Sequence, residues 1–160
     1  MNDKQKGSYN EQLHDRGELP KVKIVRGARK EAEFAGAKVI IPPLEDFDEL
    51  MRAIPYGELI SSEHIRRYLA LKYNADYTCS VTSRKFIILV AYASAERHSD
   101  ETSYWRTLKK DGELNAKYPH GIEGQRRLLE GEGHVVVQRG QRYYVSDYQD
   151  KIHALSFPRM

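Results

Sequence analysis

Little in this chain invites covalent or metal chemistry. It has one cysteine, Cys79, in 160 residues. That excludes an internal disulfide and fits a reducing cytoplasm. The six histidines (His14, His64, His98, His120, His134, His153) are scattered, and none stands at metal-ligand spacing from another or from Cys79. No metal and no cofactor is expected. The longest apolar stretch, Phe86 to Ala93, falls far short of the roughly 18 residues that a membrane span needs. The polar N-terminus from Asn2 to Glu18 contains no hydrophobic stretch of signal type. Internal repeats are lacking too.

What is present suits one modest domain with an arm. Apolar residues make up 40% and charged residues 31%, with a net charge of +3. A mildly basic balance permits nucleic acid as a partner without demanding it. Residues 1–36 read as a polar, largely flexible arm, with a mobile tail over 1–19. Lys21, Lys23, Arg26, Arg29 and Lys30 form the densest basic cluster. It is either an arm that touches phosphate or a solvated basic linker. Residues 20–26 alternate, as a short strand or an extended arm would.

The domain is expected over residues 37–160. A β segment at 37–41 ends at Pro42-Pro43. A helix follows, with Phe47, Leu50, Met51 and Ile54 at i, i+3, i+4 and i+7. After the turn Pro55-Tyr56-Gly57-Glu58, Ser61 or Ser62 caps a second helix over 63–73, with Ile65, Tyr68 and Leu69 on one face. Thr82 or Ser83 caps a third, running to about Arg97. Its Phe86–Val90 run is apolar all round, and periodicity alone does not separate it from a buried strand. The alanines that follow favour helix. This spacing gives a helix-turn-helix candidate, or else ordinary helix packing. A strand is expected at 104–109, a hairpin-type turn at 109–112 and a returning segment at 114–119. The next helix opens at Gly121, with Ile122, Arg126 and Leu129 on one face and Gln125 and Leu128 on its flanks. Two strands, 134–138 and 141–145, form a hairpin whose buried side is Val135, Val137, Tyr143 and Val145. Arg139, Gln141 and Arg142 at its tip either reach a phosphate or decorate a solvated turn. Residues 147–155 suggest a short final helix.

Four segments, read in order, carry a resemblance. They are Ile54-Pro55-Tyr56-Gly57-Glu58-Leu59-Ile60-Ser61, Ser103-Tyr104-Trp105-Arg106-Thr107-Leu108, Tyr118-Pro119-His120-Gly121-Ile122 and Leu128-Leu129-Glu130-Gly131-Glu132-Gly133. Together they resemble the DNA-binding domain of the alkylguanine-DNA alkyltransferases, over about half of the chain. In that family the active strand reads Pro-Cys-His-Arg-Val, and its cysteine takes an alkyl group from a flipped guanine. Here Tyr104 stands in the cysteine's place and Trp105 in the histidine's, while Arg106 is kept. The family's larger N-terminal domain is absent, as in the alkyltransferase-like branch, which also lacks the cysteine. That branch usually carries Trp before a retained His, whereas this chain has Tyr and then Trp. The implied fold is α+β: a winged helix-turn-helix domain with a C-terminal β-hairpin.

The resemblance also implies a division of roles. Alkyl transfer needs a thiolate with a proton acceptor at hand. A phenol with an ordinary pKa of about 10 supplies little phenolate at neutral pH, and the Trp105 indole accepts no proton. Glu132 matches the glutamate of the family's proton relay but has no histidine to orient, so a structural role is expected for it. Catalytic turnover is not expected. Cys79 is either a displaced nucleophile or a small buried cysteine. A base pocket would use Tyr104, Trp105, Arg106, Tyr118 and Glu132, with Tyr104 either donating to an altered base or filling the hole. Pro119 and His120 replace small residues of the family's pocket. Contacts to duplex DNA would come from Ser62, which stands where the family has a tyrosine, from Arg84 and Lys85 near its intercalating arginine, and from Arg139 and Arg142. The expected function is non-enzymatic recognition of alkylated or distorted bases in double-stranded DNA by a monomer, in concert with other repair proteins. The alternatives are a winged-helix nucleic-acid-binding or regulatory module that flips no base, and an enzyme built on Cys79.

Overall fold

The Phe86–Val90 run is helical. It lies within α4 (Ser80–Glu96), which spans about 25 Å. Ser83, Ile87, Val90, Ala91 and Ser94 form its buried stripe, the i, i+4, i+7, i+8, i+11 spacing of one helical face. The computed structural model describes residues 7–25 and 36–155. Helix α4 begins earlier than Thr82 or Ser83, because neither hydroxyl serves as its cap. The Ser83 hydroxyl donates back to the Cys79 carbonyl at 2.7 Å, and Thr82 Oγ1 sits 3.3 Å from Cys79 Sγ.

Around α4 pack α2 (Leu44–Arg52) and α3 (Ser62–Lys72). Phe47, Met51, Ile54, Ile65 and Leu69 are almost fully buried and share one core with Ile87 and Val90. Helix α2 also buries two acids, each with partners. Asp46 accepts from the Tyr73 hydroxyl and lies 3.4 Å from Lys72 Nζ. Asp48 accepts from Thr102 Oγ1 at 2.6 Å and from Arg52 Nε at 2.8 Å. Ser61 caps α3 through the His64 amide.

The strands are short and distributed, and the fold is α+β. β1 (Lys21–Ile24), β2 (Lys38–Ile41) and β4 (Tyr77–Thr78) make one sheet, with β1 antiparallel and β4 parallel to β2. β3 (Ile60–Ser61) runs parallel to β5 (Thr107–Leu108). The C-terminal hairpin is β6 (Val136–Arg139) with β7 (Arg142–Val145). Before it comes α5 (Gly121–Gly131).

Several local expectations are corrected. Residues 104–109 do not form one strand: Tyr104–Arg106 is a 3₁₀ turn, and extended pairing begins only at Thr107. The Arg106 amide closes that turn on the Ser103 carbonyl at 3.2 Å. No strand returns along 114–119. Glu113 and Leu114 pair instead with β7, where the Leu114 amide meets the Tyr143 carbonyl at 2.9 Å. The hairpin's inner face is Val136 with Tyr143 and Val145, one residue out of phase with the expected Val135 and Val137, and Val135 is exposed. On α5 the buried pair is Gln125 and Leu129, while Arg126 lies at the surface beside Glu130. The final segment is a single 3₁₀ turn, Tyr148–Lys151. After it the His153 amide joins the Leu59 carbonyl at 2.7 Å.

The mobile tail expected over 1–19 does not describe residues 8–14. Ser8 caps α1 (Tyr9–His14), and Leu13 is 2% exposed within the core. Asn10 Nδ2 donates to the Ala93 carbonyl at 2.9 Å, and the Asn10 amide reaches Glu96 at 3.0 Å. A six-residue helix with one inward leucine is too short to show a period, which is why the sequence hides it. Lys21 and Lys23 of the basic cluster lie in β1; Arg26, Arg29 and Lys30 lie outside the described residues. Leu13→Ala is expected to lower stability by about 2–5 kcal/mol in a urea melt, the usual cost of emptying a buried leucine site. An unchanged midpoint would mean that the segment does not dock.

Candidate nucleic-acid interface

Glu132 ties the site's framework together. It follows α5, and its side chain is only 6% exposed. Its carboxylate accepts from Trp105 Nε1 at 2.7 Å, from Arg106 Nε at 2.9 Å and Nη2 at 2.9 Å, and from the Gly57 amide at 2.9 Å. Arg106 Nη1 donates in turn to the Ile54 carbonyl at 2.7 Å and to Ser103 Oγ at 3.0 Å. The guanidinium also lies over the rings of Tyr56 and Trp105, and the Tyr56 hydroxyl donates to the Gly131 carbonyl at 3.0 Å. Burial alone would push the Glu132 carboxyl up. The hydrogen bonds from Arg106, Gly57 and Trp105, with the Arg106 charge, outweigh it and hold the carboxyl below its ordinary value.

Tyr104 is 7% exposed. Its ring packs edge-on against Trp105, at 5.4 Å between centroids, and against Tyr118, at 5.2 Å. Burial pushes the phenol above its ordinary pKa, and the nearby Glu101 and Tyr92 add to the shift. No hydrogen bond joins its hydroxyl to another described residue. Tyr118 is buried deeper still. Its hydroxyl donates to the Thr107 carbonyl at 2.9 Å, and burial drives its pKa far up. That hydroxyl is committed inside the protein.

A cavity of about 250 Å3 lies where α3, α4, β5 and the 115–118 loop meet. Ile87, Ile88, Leu108, Ala116 and Tyr118 form its apolar wall, and Ser62, Arg84, Lys109, Asn115 and Lys117 supply the polar groups. No carboxylate lines it. Of the residues singled out in the sequence, this cavity brings together Ser62, Arg84 and Tyr118. It does not include Tyr104, Trp105, Arg106 or Glu132, which form the packed layer that holds the 54–58 turn and the end of α5. Pro119 is buried. His120 packs against Gly124, where an added Cβ would come within 2.6 Å of the His120 Cβ, and neither residue lines the cavity. Lys85 is exposed on α4 outside it. Arg139 lies over the Tyr144 ring and Arg142 faces Glu113 at 3.6 Å, both on the hairpin.

Two contributions escaped the sequence reading. Lys109 and Lys117 give the cavity a cationic rim, and the only sign of it was their basic character on either side of the 111–116 segment. Gln125 is fully buried. Its Nε2 donates to the Trp105 carbonyl at 3.1 Å and its Oε1 accepts from the Asn115 amide at 2.7 Å, so it fixes the loop against the Trp105 turn. A lone polar residue on the inner side of an amphipathic helix was its signal.

Cys79 is half-buried at the start of α4, between β4 and the helix, and does not line this cavity. Burial would raise its thiol. Hydrogen bonds from the Thr82 hydroxyl and from the Thr82 and Val81 amides, with the charge of Lys23, bring it below the ordinary value. Among the described residues no cluster of three His, Cys, Asp or Glu side chains suits a metal ion, and no helix is long and apolar enough to cross a membrane.

No protein-family model matches the sequence, and neither does any curated protein. The fold does have solved counterparts. The structure of S. pombe Atl1 in complex with damaged DNA containing O6-carboxymethylguanine superimposes with a TM-score of 0.53 at 18% identity, covering 70% of this chain and 94% of that one. A structure of S. pombe ATL in complex with DNA gives a TM-score of 0.52 at 17% identity over the same shares. The expected α+β class is therefore the class of this chain, which shares its fold with these proteins.

Glu132→Ala leaves the Arg106 guanidinium buried without its counter-charge and is expected to cost about 3–5 kcal/mol of stability. Because the Glu132 carboxyl is depressed in the folded protein, its stabilisation is complete above its unfolded pKa, near 4.3. It is lost as pH falls through the lower folded value. Melting curves of the wild type should drop more steeply below about pH 4.3 than those of Glu132→Gln. Parallel curves would deny the carboxylate this role.

Proposed function

We propose that this protein binds duplex DNA without catalysis and recognises alkylated or distorted bases, presenting them to other repair proteins. The observation that carries the reading is the acid-free, cation-rimmed cavity between α3, α4 and the 115–118 loop, on a fold shared with a DNA-bound alkyltransferase-like protein. An extruded base needs an apolar or aromatic wall and a polar edge. Tyr118 with Ile87, Ile88 and Leu108 supplies the wall, and the Ser62 hydroxyl and the Arg84 guanidinium supply the edge. Arg84 and Lys85 on α4 are positioned to meet phosphates, with Arg139 and Arg142 on the hairpin as outlying contacts. The Tyr104 phenol occupies the nucleophile's place in the family strand and is packed there, with a raised pKa and no proton acceptor. Bound lesions are held and left unrepaired.

One observation favours a second reading, a nucleic-acid-binding module that flips no base. At about 250 Å3 the cavity is smaller than the roughly 300–1,000 Å3 usual for small-molecule sites, and Ile87 and Ile88 narrow it.

Anisotropy titrations with duplexes carrying guanine or O6-alkylguanine separate the two. The lesion reader binds the alkylated duplex more tightly, and Arg84→Ala weakens it about tenfold, within the roughly 1–3 kcal/mol of one good contact. Equal affinities would leave only the second reading, and binding without salt dependence would remove DNA as the partner. Incubation with a duplex labelled on the alkyl group should leave the label on DNA. Label on the protein would overturn the non-enzymatic reading and point to Cys79.

A further inference from the structure

Strand β1 is the outer strand of its sheet, and all four of its residues are exposed. Side chains alternate along a strand, so Lys21 and Lys23 share one face while Val22 and Ile24 share the other. The register fixes where the lysine face leads. Lys23 lies opposite Val39, and Val39 lies opposite Tyr77 on β4, a single row across the sheet. Two residues beyond Tyr77, and so on the same face, is Cys79, whose amide extends the ladder to the Ile40 carbonyl at 3.0 Å. Lys23 is close enough for its charge to act on the Cys79 thiol. Cys79 immediately precedes α4, whose second turn carries the exposed Arg84 and Lys85. The lysine face of β1 therefore leads to Cys79, at the N-terminal end of the helix that carries Arg84 and Lys85.

These cations are not neutralised locally. Among the described residues no carboxylate lies within ion-pair distance of Lys23, Arg84 or Lys85, and Lys21 has only Glu18, at 3.9 Å. The nearby acids are engaged elsewhere. The Asp76 carboxylate accepts from the Lys38 amide at 2.6 Å, Asp46 is held by Tyr73 and Lys72, and Glu96 by α1. A fully exposed edge strand with two lysines on one face, Lys23 without an acid partner among the described residues and Lys21 beside only the exposed Glu18, complements a line of phosphates.

We infer that the Lys21–Lys23 face of β1 is a second phosphate-contacting element, which engages the backbone of the same duplex as α4 and lengthens the footprint beyond the cavity. This rests on the proposed duplex binding and concerns the flank of the site. The contacts are electrostatic and blind to sequence and lesion, so they add affinity without discrimination.

The test is the salt dependence of binding to an unmodified duplex and to an alkylated one, between about 50 and 200 mM salt. Lys21→Gln/Lys23→Gln should flatten the slope of log K against log salt by about 1–2, since each phosphate contact contributes about 0.9. It should weaken both duplexes alike, leaving their affinity ratio unchanged, and Lys21→Arg/Lys23→Arg should keep the wild-type slope. In the wild-type protein, added duplex should shield Lys21 and Lys23 from amine-reactive labelling, a readout that needs no variant. An unchanged slope, or no shielding while the wild type binds, would overturn this inference alone. A wild type that shows no salt-dependent binding would overturn the duplex-binding reading and this inference with it.

Discussion

The ion pair between Glu132 and Arg106 holds together three segments that are remote in sequence. It joins the 54–58 turn, the Tyr104–Arg106 turn and the end of α5 through one nearly buried carboxylate. Charges so far from water persist only when their hydrogen-bonding capacity is filled. Here the carboxylate meets an indole, a guanidinium and a backbone amide, and Arg106 also donates to a backbone carbonyl and a hydroxyl. The path from this knot to the cavity is short. Trp105 belongs to the knot, Gln125 ties its carbonyl to the Asn115 amide, and the loop from Asn115 to Tyr118 forms one cavity wall.

The Tyr104–Arg106 turn is packed against that framework. The partners of Glu132 are donors only: the Trp105 indole, the Arg106 guanidinium and the Gly57 amide. Tyr104 is an aromatic wedge between Trp105 and Tyr118. What remains open lies beside it and offers an apolar wall, a cationic rim and no acid.

Charge is also sorted within the molecule. The acids of α2 and the end of α4 are engaged by Arg52, Lys72, Thr102, Tyr73 and α1. Among the described residues Lys23, Arg84 and Lys85 have no such partner, and Lys21 has only Glu18, at 3.9 Å. A net charge of +3 is small; its uneven placement gives it reach.

Much was legible in the chain itself. The helices α2, α3 and α5, the C-terminal hairpin and the resemblance of the active strand all follow from local rules: apolar residues at i, i+3, i+4 and i+7, serine before a helix, and glycine at its end. Other features depended on contacts between segments far apart along the chain. The α1 helix is legible only once Leu13 meets the core, because six residues carry no period. The phase of β6 is set by β7 and the apolar cluster beneath it, and β-branched runs such as 135–137 look alike in either phase. Gln125 became structural because a loop amide and a turn carbonyl both needed a partner. The open space sits beside Tyr118 and away from the Tyr104 hydroxyl because the two tyrosine rings pack edge to face and close the interior between them. Composition and periodicity specify which face of an element turns inward; which distant groups it meets there is decided by the packing of the whole chain.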